Sequence, residues 1–448
     1  MGKLVQLLSH PSELRAVLQY KFFRKPVYEN DAKYKSEELA YCYYMLGCTS
    51  RSFAAVIREL EPELRDVVMI FYLVLRALDT VEDDMTLQPN FKVSLLREFH
   101  HKLKLKEWSF DGSGPNEKDR IVLVHFNSIL SIYHSLKPKY QDIIRDITEK
   151  MGNGMADYVL DEDFNMNGVA TVKDYDLYCH YVAGLVGEGL SKLMVEANFA
   201  DISLTQDGFA KSESMGLFLQ KTNIIRDYEE DLRDGRSFWP KEVWSKYTDS
   251  LSSFREDKSP ESEKKGLECI NELVLNALHH VKDCLTYLSL VSDPSCFNFC
   301  AIPQVMAIAT LALVHNNPKV LRQNVKIRKG TTCNLILKSR TFPGVVQIFR
   351  SYVRDIHHNS SVSDPNYLKI GIICGEIEQF CELMFPSKGA IPAGVKKEPH
   401  PINLNIAKRA PIDNAISKTI KAEELKCNLT IASAVTLLGA ILFYIRRS

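Results

Sequence analysis

Two short acidic clusters are the residues of this sequence whose types and spacing could do chemistry. The first runs from Asp79 to Asp84, and the second runs from Asp227 to Asp231. Acids make up 56 of 448 residues, so three acids at fixed positions are expected by chance about once in a chain of this length. The clusters therefore gain meaning only from the sequence that surrounds them.

The first cluster continues a segment that is apolar on nearly every side, IFYLVLRAL at residues 70–78. Such a segment is expected in the core of a helical bundle, where a solvated acidic face would not normally follow. Tyr72, Arg76, Asp79 and Asp83 are 4, 3 and 4 positions apart, which places them on one stripe of a helix. The spacing predicts a carboxylate stripe that leads out of the core.

The second cluster repeats this arrangement. Asn223, Asp227 and Asp231 stand at i, i+4 and i+8, after the apolar GLFL of residues 216–219. We expect the two stripes, each of which continues a buried helix, to face each other across a cavity in the bundle.

Two facing carboxylate clusters repel each other unless cations lie between them. Oxygen ligands of this hard type favour Mg²⁺ over zinc or copper, and Mg²⁺ commonly bridges one or two carboxylates to substrate phosphates. Positive charge for diphosphate oxygens would come from Arg51, Arg76, Arg226, Lys326 and Arg328. The pattern indicates ionisation of an allylic diphosphate. The alternative is a pair of solvated helix ends with local ion pairs, such as Arg226 with Glu230.

The elements that must position these residues read almost wholly as helices. Stretches with a 3.6-residue period occur at residues 63–78, 209–231, 266–289 and 302–313, whereas strand-like alternation is scarce. The sequence therefore predicts an all-α bundle.

Four regions divide the chain. Residues 1–35 are predicted to be an N-terminal helical extension, and residues 36–385 the all-helical catalytic domain. Residues 386–426 contain five prolines and recurring lysines, which predicts a linker, and residues 427–445 are predicted to be a transmembrane tail anchor.

The C-terminal segment CNLTIASAVTLLGAILFYI at residues 427–445 carries no charge and is closed by Arg446 and Arg447. A helix of this length reaches ~28 Å, enough to cross the core of a bilayer. The N-terminus lacks the features of a signal peptide. We therefore expect a lipid bilayer as a partner through residues 427–445, with the main body in the cytosol.

Composition excludes some function classes. Hydrophobic residues make up 45% of the chain, which is enough for a substantial core. Lys plus Arg equal Asp plus Glu at 56 each, which argues against nucleic-acid binding through bulk charge. The 11 cysteines are scattered without a C-x-x-C pair, which favours buried thiols in a reducing compartment.

The sequence resembles the squalene synthases, and it resembles the fungal members of that family most closely. The resemblance is carried by residues 49–85 (TSRSFAAVIRELEPELRDVVMIFYLVLRALDTVEDDM), 178–190 (YCHYVAGLVGEGL), 215–240 (MGLFLQKTNIIRDYEEDLRDGRSFWP), 297–314 (FNFCAIPQVMAIATLALV) and 325–330 (VKIRKG). It extends over most of the chain up to Phe385, fades in the predicted linker and resumes in the anchor.

The resemblance implies an all-helical class I isoprenoid-synthase fold with a C-terminal transmembrane helix. It implies that two farnesyl diphosphates are joined head to head to presqualene diphosphate. That intermediate would then ionise, rearrange and be reduced to squalene, with Mg²⁺ and NADPH as cofactors. Location on the endoplasmic reticulum membrane, beside other enzymes of the sterol pathway, follows from the same resemblance.

Residue roles are carried over in the same way. The resemblance implies metal binding by Asp79, Glu82, Asp83, Asp227 and Asp231, substrate binding by Arg51, Ser52, Tyr72 and Arg76, cofactor binding by Arg226, Lys326 and Arg328, and catalysis by Tyr178, Phe297 and Phe299. For Arg226, the substrate diphosphate and the cofactor phosphate both stay open as partners. No G-x-G-x-x-G motif supports NADPH, so this cofactor rests on the resemblance alone.

From the residues alone, Tyr178, Phe297 and Phe299 are also readable as packed core. A phenol in a dry pocket can exchange a proton with a leaving diphosphate, and aromatic faces stabilise carbocations without offering a nucleophile. The small residues Ala183, Gly184, Gly187 and Gly189 after Tyr178 permit a close helix approach or leave room for a bulky chain.

Three other functions stay open at this stage. One is a non-reducing head-to-head synthase of the phytoene synthase type, which a product assay with and without NADPH distinguishes. Another is a cyclising terpene synthase, which would give a cyclic product from one farnesyl diphosphate. The third is a non-catalytic, tail-anchored helical scaffold.

Overall fold

The structure, a computed structural model, describes residues 9–29, 35–160, 168–386 and 400–447. Over these ranges the secondary structure is helical, and the only strand-like feature is an isolated bridge between Ala200 and Val291. The predicted all-α class is confirmed. The 11 cysteines are free and most are buried, as expected for a chain without a disulfide framework.

The elements follow one another through short connections. In chain order they are α1 (Pro11–Phe22), α2 (Glu37–Thr49), α3 (Arg51–Ile57), α4 (Pro62–Asp83), α5 (Pro89–Lys102), α6 (Arg120–Val124), α7 (Phe126–Ser135), α8 (Pro138–Val159), α9 (Val172–Cys179), a π-helical turn (His180–Gly184), α10 (Leu185–Glu196), a 3₁₀ turn (Ile202–Thr205), α11 (Ala210–Arg226), α12 (Tyr228–Arg233), α13 (Lys241–Trp244), α14 (Ser253–Glu256), α15 (Pro260–Leu278), α16 (Val281–Ser289), α17 (Pro294–Val314), a second 3₁₀ turn (Pro318–Leu321), α18 (Lys329–Lys338), α19 (Phe342–His358), α20 (Tyr367–Met384) and α21 (Pro401–Arg447).

Helix α4 carries the first acidic cluster out of the core. It begins with Pro62 in its first turn, where the missing N–H costs nothing, and 14 of its 22 residues are buried. Tyr72, Arg76 and Asp79 are only half-buried, and Asp83 is exposed. The predicted stripe is therefore the side of α4 that leaves the core and opens towards solvent.

Glycines let the helices around α4 approach closely. A Cβ atom on Gly189 of α10 would collide with the ring of Phe71, and one on Gly216 of α11 would collide with the backbone of Ala183. Gly189 therefore lets α10 approach α4, one of the two possibilities predicted for it, and Gly216 lets α11 approach the π-helical turn.

Helix α17 is apolar enough to cross a membrane by length and composition, but it is a core helix. Its mean hydropathy is 1.8 and 72% of its most apolar window is buried inside the protein. Asp293 caps its first turn by accepting hydrogen bonds from the backbone N–H groups of Ser295 and Cys296. The helix passes through the middle of the bundle and packs against α11 and α19.

Helix α21 differs from the sequence-based expectation. Residues 401–426, predicted as part of a linker, form one continuous helix with the predicted anchor. Pro411 lies inside this helix and has no backbone N–H to donate to the carbonyl of Ala407. Ala407 is exposed, so water can hydrogen-bond to its carbonyl instead. Residues 386–400 lie almost wholly outside the described residues.

The first half of α21 is docked on the body through a stripe with helical spacing. Ile402, Arg409, Asp413, Glu423 and Cys427 of this stripe are all buried. Three of them are ionisable, which is unusual for a docking face and means that each needs a partner. The second half, after Cys427, is exposed and apolar, with a mean hydropathy of 1.9.

One buried ion pair joins α21 to the body, and a second lies within α21 at the docking face. Glu423 accepts hydrogen bonds from Arg340 at 2.5 and 3.2 Å, and both side chains are 6% exposed. Arg409 lies 3.2 Å from Asp413 and places its guanidinium 3.6 Å from the centre of the Phe297 ring. Asp413 also accepts a hydrogen bond from the backbone N–H of Phe342 at 3.2 Å.

We expect Arg340→Gln to release the docked half of α21. The substitution leaves Glu423 buried without its guanidinium partner, and breaking a buried pair in this way typically costs about 3–5 kcal/mol. Backbone amide hydrogen exchange between residues 402 and 427 of the full-length protein should therefore accelerate at least ~100-fold.

The matched control is Arg354→Gln. Arg354 pairs with Glu378 on the surface and its side chain is 60% exposed, so its loss should change exchange little. Equal exchange in both variants would contradict a structural role for the Arg340–Glu423 pair.

Candidate active site

The two acidic clusters lie at the ends of two helices and face one another. Asp79, Glu82 and Asp83 occupy the last turn of α4. Asp227 separates α11 from α12, and Asp231 lies within α12. One side chain contacts both clusters, which indicates that they face each other as expected.

That side chain is Arg236, which the sequence analysis did not single out. Its Nη1 atom lies 2.6 Å from Oδ1 of Asp83, and its Nη2 atom lies 3.7 Å from Oδ1 of Asp231. Gly235 has a φ of +75°, which turns the chain back after α12 so that Arg236 returns to the acids. The guanidinium therefore occupies a place between the clusters where a cation is needed.

Tyr178 is joined to the clusters through an aromatic neighbour. Its ring stacks on Phe238 at 5.1 Å between ring centres, and the guanidinium of Arg236 lies 5.9 Å from the Phe238 ring. Tyr158 packs edge-on against Tyr178 at 5.3 Å. The structure thus places Tyr178 beside the acidic clusters.

A π-helical turn follows Tyr178 directly, at His180–Gly184. Single π-turns inside helices are frequent at functional sites. His180 is tied to α11 by an ion pair with Glu213 at 2.9 Å, which fixes the start of the turn.

Burial and mutual repulsion raise the pKa values of the clustered acids. Burial raises the pKa of Asp79 to about 7, although the positive charge of Arg76 acts to lower it. The negative charges of Asp83 and Asp119 also raise this pKa. The pKa of Glu82 rises to about 8, mainly through burial and then through Asp83 and Asp79. In the second cluster burial also raises the pKa of Asp231 to about 7. The clusters are therefore short of positive charge, even with Arg236 present.

The pKa of the Tyr178 phenol is raised well above 10, first by burial and then by Glu82. Its hydroxyl is therefore protonated at neutral pH. The contribution of Glu82 also shows that the phenol lies close to the first cluster.

Arg76 and Tyr72 line the wall beside the first cluster. Arg76 lies 3.5 Å from Asp79 and 3.7 Å from Asp119, and it donates a hydrogen bond of 3.3 Å to the Tyr72 hydroxyl. Arg51 and Ser52 are exposed in the first turn of α3. The next residue, Phe53, packs on Tyr72 at 5.5 Å, so all four predicted substrate ligands lie around one junction of α3 and α4.

The two predicted carbocation-lining phenylalanines face different sides of α17. Phe299 packs 6.4 Å from Phe53, beside Tyr72. Phe297 is fully buried and instead contacts Phe342 and the guanidinium of Arg409. Residues two positions apart on a helix point in nearly opposite directions, so the structure brings Phe299, but not Phe297, to the substrate side.

The three residues predicted to bind the cofactor differ in their partners. Arg226 forms a double hydrogen bond with Asp227, at 2.8 and 2.5 Å. Arg328 is paired with Glu13 of α1 at 2.8 and 2.5 Å. Lys326 is exposed.

Asn324 connects this segment to the second cluster. Its amide donates to Asp227 and to Glu230, each at 2.7 Å. Lys326 is therefore only two residues along the chain from Asn324, which contacts the acidic site directly. No motif in the sequence around Asn324 predicted this contact.

A buried lysine positions the helix that carries Tyr178. Lys221 of α11 is 1% exposed, and its Nζ atom lies 2.6 Å from Asp176 of α9. The same atom contacts Asn276 at 2.6 Å and Nε2 of His280 at 2.9 Å. Burial and Lys221 lower the pKa of His280 to about 3, so the imidazole is neutral and accepts from the ammonium group. Lys221 therefore links α9 to α15 and to His280 at the start of α16.

The donor set fits Mg²⁺ better than a metal that needs a complete protein cage. Within the described ranges, no group of three or more His, Cys, Asp and Glu side chains is preassembled as a metal site. Mg²⁺ is usually bound by one or two carboxylates together with water and substrate phosphates. Half-buried acids with raised pKa values on two facing helices have this chemistry.

Comparison with known proteins agrees with this geometry. The squalene/phytoene synthase family matches residues 46–331 of the chain. The squalene synthase ERG9 of Candida albicans is 63% identical over 99% of this chain and 100% of its own length. The squalene synthase ERG9 of Saccharomyces cerevisiae is 57% identical over 98% of this chain and 97% of its own length. Among solved structures, the complex of TcSQS with the ligand BPH1237 superposes with a TM-score of 0.73 at 43% identity, and it covers 78% of this chain and 99% of its own.

The raised pKa values predict that Mg²⁺ stabilises the protein more at pH 8 than at pH 6. Because Asp79, Glu82 and Asp231 hold protons more tightly in the folded state, the folded protein binds more protons than the unfolded chain from about pH 4 to pH 8. Without metal, stability therefore falls as the pH rises through this window. Mg²⁺ neutralises the ionised acids, so its effect on the melting temperature should grow with pH.

Thermal unfolding of the full-length protein at pH 6 and pH 8, with and without Mg²⁺, measures this effect. Asp231→Asn should weaken both the pH dependence and the response to Mg²⁺. Asp249→Asn, at an exposed acid outside both clusters, should change neither. A Mg²⁺ response that is equal at both pH values would contradict the prediction.

Proposed function

Because the chain belongs to the squalene/phytoene synthase family, we propose that its facing acidic clusters and Tyr178 carry out the two half-reactions of squalene synthesis. The activity is that of a squalene synthase, a transferase of isoprenoid and sterol biosynthesis. The observation that carries the residue assignment is the chain of contacts from Tyr178 through Phe238 and Arg236 to Asp83 and Asp231.

The substrate is farnesyl diphosphate, with its diphosphate between the clusters. Asp79, Glu82, Asp83, Asp227 and Asp231 would hold Mg²⁺ there, and the bound metal supplies the Lewis acidity that stabilises the leaving diphosphate. Arg76 and Arg236 place guanidinium groups beside the same position, where they bind diphosphate oxygens. Arg51, Ser52 and Tyr72 complete the proposed binding wall.

Tyr178 acts on the proton of the first half-reaction. One C–O bond to diphosphate breaks, two C–C bonds of the cyclopropane form, and one proton leaves the carbon skeleton. Because burial keeps the Tyr178 phenol protonated, the hydroxyl can accept that proton only as it passes its own to the departing diphosphate. Its place beside Glu82 and Asp83 puts it within reach of this leaving group.

The second half-reaction needs a dry aromatic wall and a hydride. Breaking the second C–O bond leaves a carbocation, which Phe299, Phe53 and Tyr72 would shield from water without acting as nucleophiles. NADPH supplies the hydride that completes squalene. Lys326, Arg328 and Arg226 are the proposed contacts of its phosphates, and Arg328 must first leave Glu13.

Helix α21 makes the chain a membrane-anchored protein, and we propose the endoplasmic reticulum with the catalytic domain in the cytosol. Squalene has no polar group, so its release beside a bilayer avoids a large hydrophobic cost. Other enzymes of the sterol pathway on the same membrane are the proposed neighbours.

The product assay tests the proposal as a whole. Full-length protein is supplied with labelled farnesyl diphosphate and Mg²⁺, with and without NADPH. Squalene only with NADPH, and presqualene diphosphate without it, is the expected result. A cyclic product, or a head-to-head product that is unchanged by NADPH, would overturn it.

We expect Tyr178→Phe to lose the first half-reaction ~10²- to 10⁴-fold in kcat, the usual contribution of general acid–base catalysis. Presqualene diphosphate supplied directly should still be reduced to squalene. The matched control is Tyr175→Phe, on the same helix, because the Tyr175 hydroxyl is buried without a hydrogen-bond partner among the residues that the structure describes. If both half-reactions fail equally in Tyr178→Phe, Tyr178 has a structural role instead.

We expect Glu13→Gln to lower KM for NADPH about 3- to 10-fold with little change in kcat, because it frees Arg328 from a charged hydrogen bond. Steady-state kinetics with varied NADPH measures this. Glu59→Gln, which breaks the similar pair with Arg24, is the control. An unchanged KM in Glu13→Gln would remove Arg328 from the cofactor site.

A further inference from the structure

The position of the bilayer surface relative to the body can be located on α21. Cys427 is fully buried against the body, whereas from Asn428 onward nearly all described side chains of the helix are exposed. The change from docked to free helix therefore occurs within one turn, at the start of the segment long and apolar enough to cross a membrane.

Helix α1 lies at this boundary. The Nε atom of Arg15 donates a hydrogen bond of 2.8 Å to the side chain of Asn428. The backbone N–H of Lys25, just beyond the end of α1, donates to Glu423 at 3.1 Å. The first half of α1 and the chain just beyond its end are thus attached to α21 where the docked half meets the free apolar segment.

The surface formed by α1 and this part of α21 is basic. We call it the basic collar; it consists of Lys21, Phe22, Lys25, Lys418, Lys421 and Lys426, all exposed. In the described part of the chain, no carboxylate forms an ion pair with any of these lysines. The nearby acids Glu13, Glu59 and Glu423 are already paired with Arg328, Arg24 and Arg340, and Glu424 is half-buried.

Helix geometry places Lys426 at headgroup depth and Lys421 just outside the headgroup layer. Lys421 and Lys426 precede Asn428 by seven and two residues, or ~10 and ~3 Å along the axis. The headgroup layer of a bilayer is ~5–7 Å thick on each side. Phe22, 65% exposed, lies beside Lys21, whose ammonium is 5.3 Å from its ring. A large exposed aromatic next to unpaired cations is typical of a surface that lies on a membrane.

We propose that the basic collar is a second membrane contact, which rests on the surface of a leaflet rich in anionic lipids. The partner is the bilayer itself, because the collar is continuous with the apolar end of α21 and because cations attract anionic headgroups. Together with the docked half of α21, this contact fixes the orientation of the catalytic domain towards the membrane.

The test uses the full-length protein in lipid nanodiscs that contain brominated phosphatidylcholine, which quenches nearby tryptophan. Phe22→Trp is compared with Val362→Trp, after subtraction of the parent emission. Val362 is 80% exposed and lies just after the end of α19. Only the first residue of α19, Phe342, is hydrogen-bonded to α21 in the described part of the chain, so the length of α19 separates Val362 from that contact. Trp at position 22 should be quenched at least twofold more than Trp at position 362. Equal quenching overturns the proposal.

Charge is tested separately. In discs of neutral lipid alone, or after Lys21→Glu with Lys25→Glu, the quenching at position 22 should fall to the level of position 362. Lys369→Glu, on an exposed lysine near Val362, should have no effect. Hydrogen exchange of residues 402–427 confirms that α21 stays docked in the charge variants. Quenching that persists in neutral lipid and in the double variant would overturn the role of anionic headgroups.

Discussion

Burial of like charges within each of the two facing acidic clusters is the constraint on which the rest of this structure depends. Asp79, Glu82 and Asp231 have pKa values raised towards neutrality because burial removes water from charges that already repel one another. Arg236 relieves only part of this repulsion, since it is one cation between several acids. A site so short of positive charge is suited to bind a metal and its diphosphate together, as proposed above, and the fold must keep the acids in place without them.

The fold meets this demand by rigid packing on the sides of the helices that face away from the acids. Gly189 and Gly216 bring α10 and α11 so close to their neighbours that any side chain at these positions would collide. Lys221 then ties α9 to α15 and α16 through a buried polar network. Tyr178 therefore reaches the clusters from a scaffold that does not depend on the charge state of the acids.

Local periodicity predicted the fold class and the stripe of Tyr72, Arg76, Asp79 and Asp83, because the buried face of a helix is determined by residues that are close together in the sequence. It could not predict Arg236, which returns to the acids only through the positive φ of Gly235. It missed the pairing of Arg328 with Glu13, since these partners are 315 positions apart. Prolines and lysines made residues 401–426 look like a linker, although Pro401 begins α21 and Pro411 faces solvent.

The different positions of Phe297 and Phe299 show how the anchor and the active site are physically connected. Both residues lie on α17, but Phe299 faces Phe53 while Phe297 contacts Arg409 of α21. Arg409 also donates to the carbonyl of Val291, just before α17 begins. Because α17 is tightly packed, it is expected to move as a unit. A displacement of the docked half of α21 would therefore also displace Phe299 on the opposite side of α17. The docked half of α21, which leads into the apolar segment, is therefore packed against the side of α17 opposite Phe299.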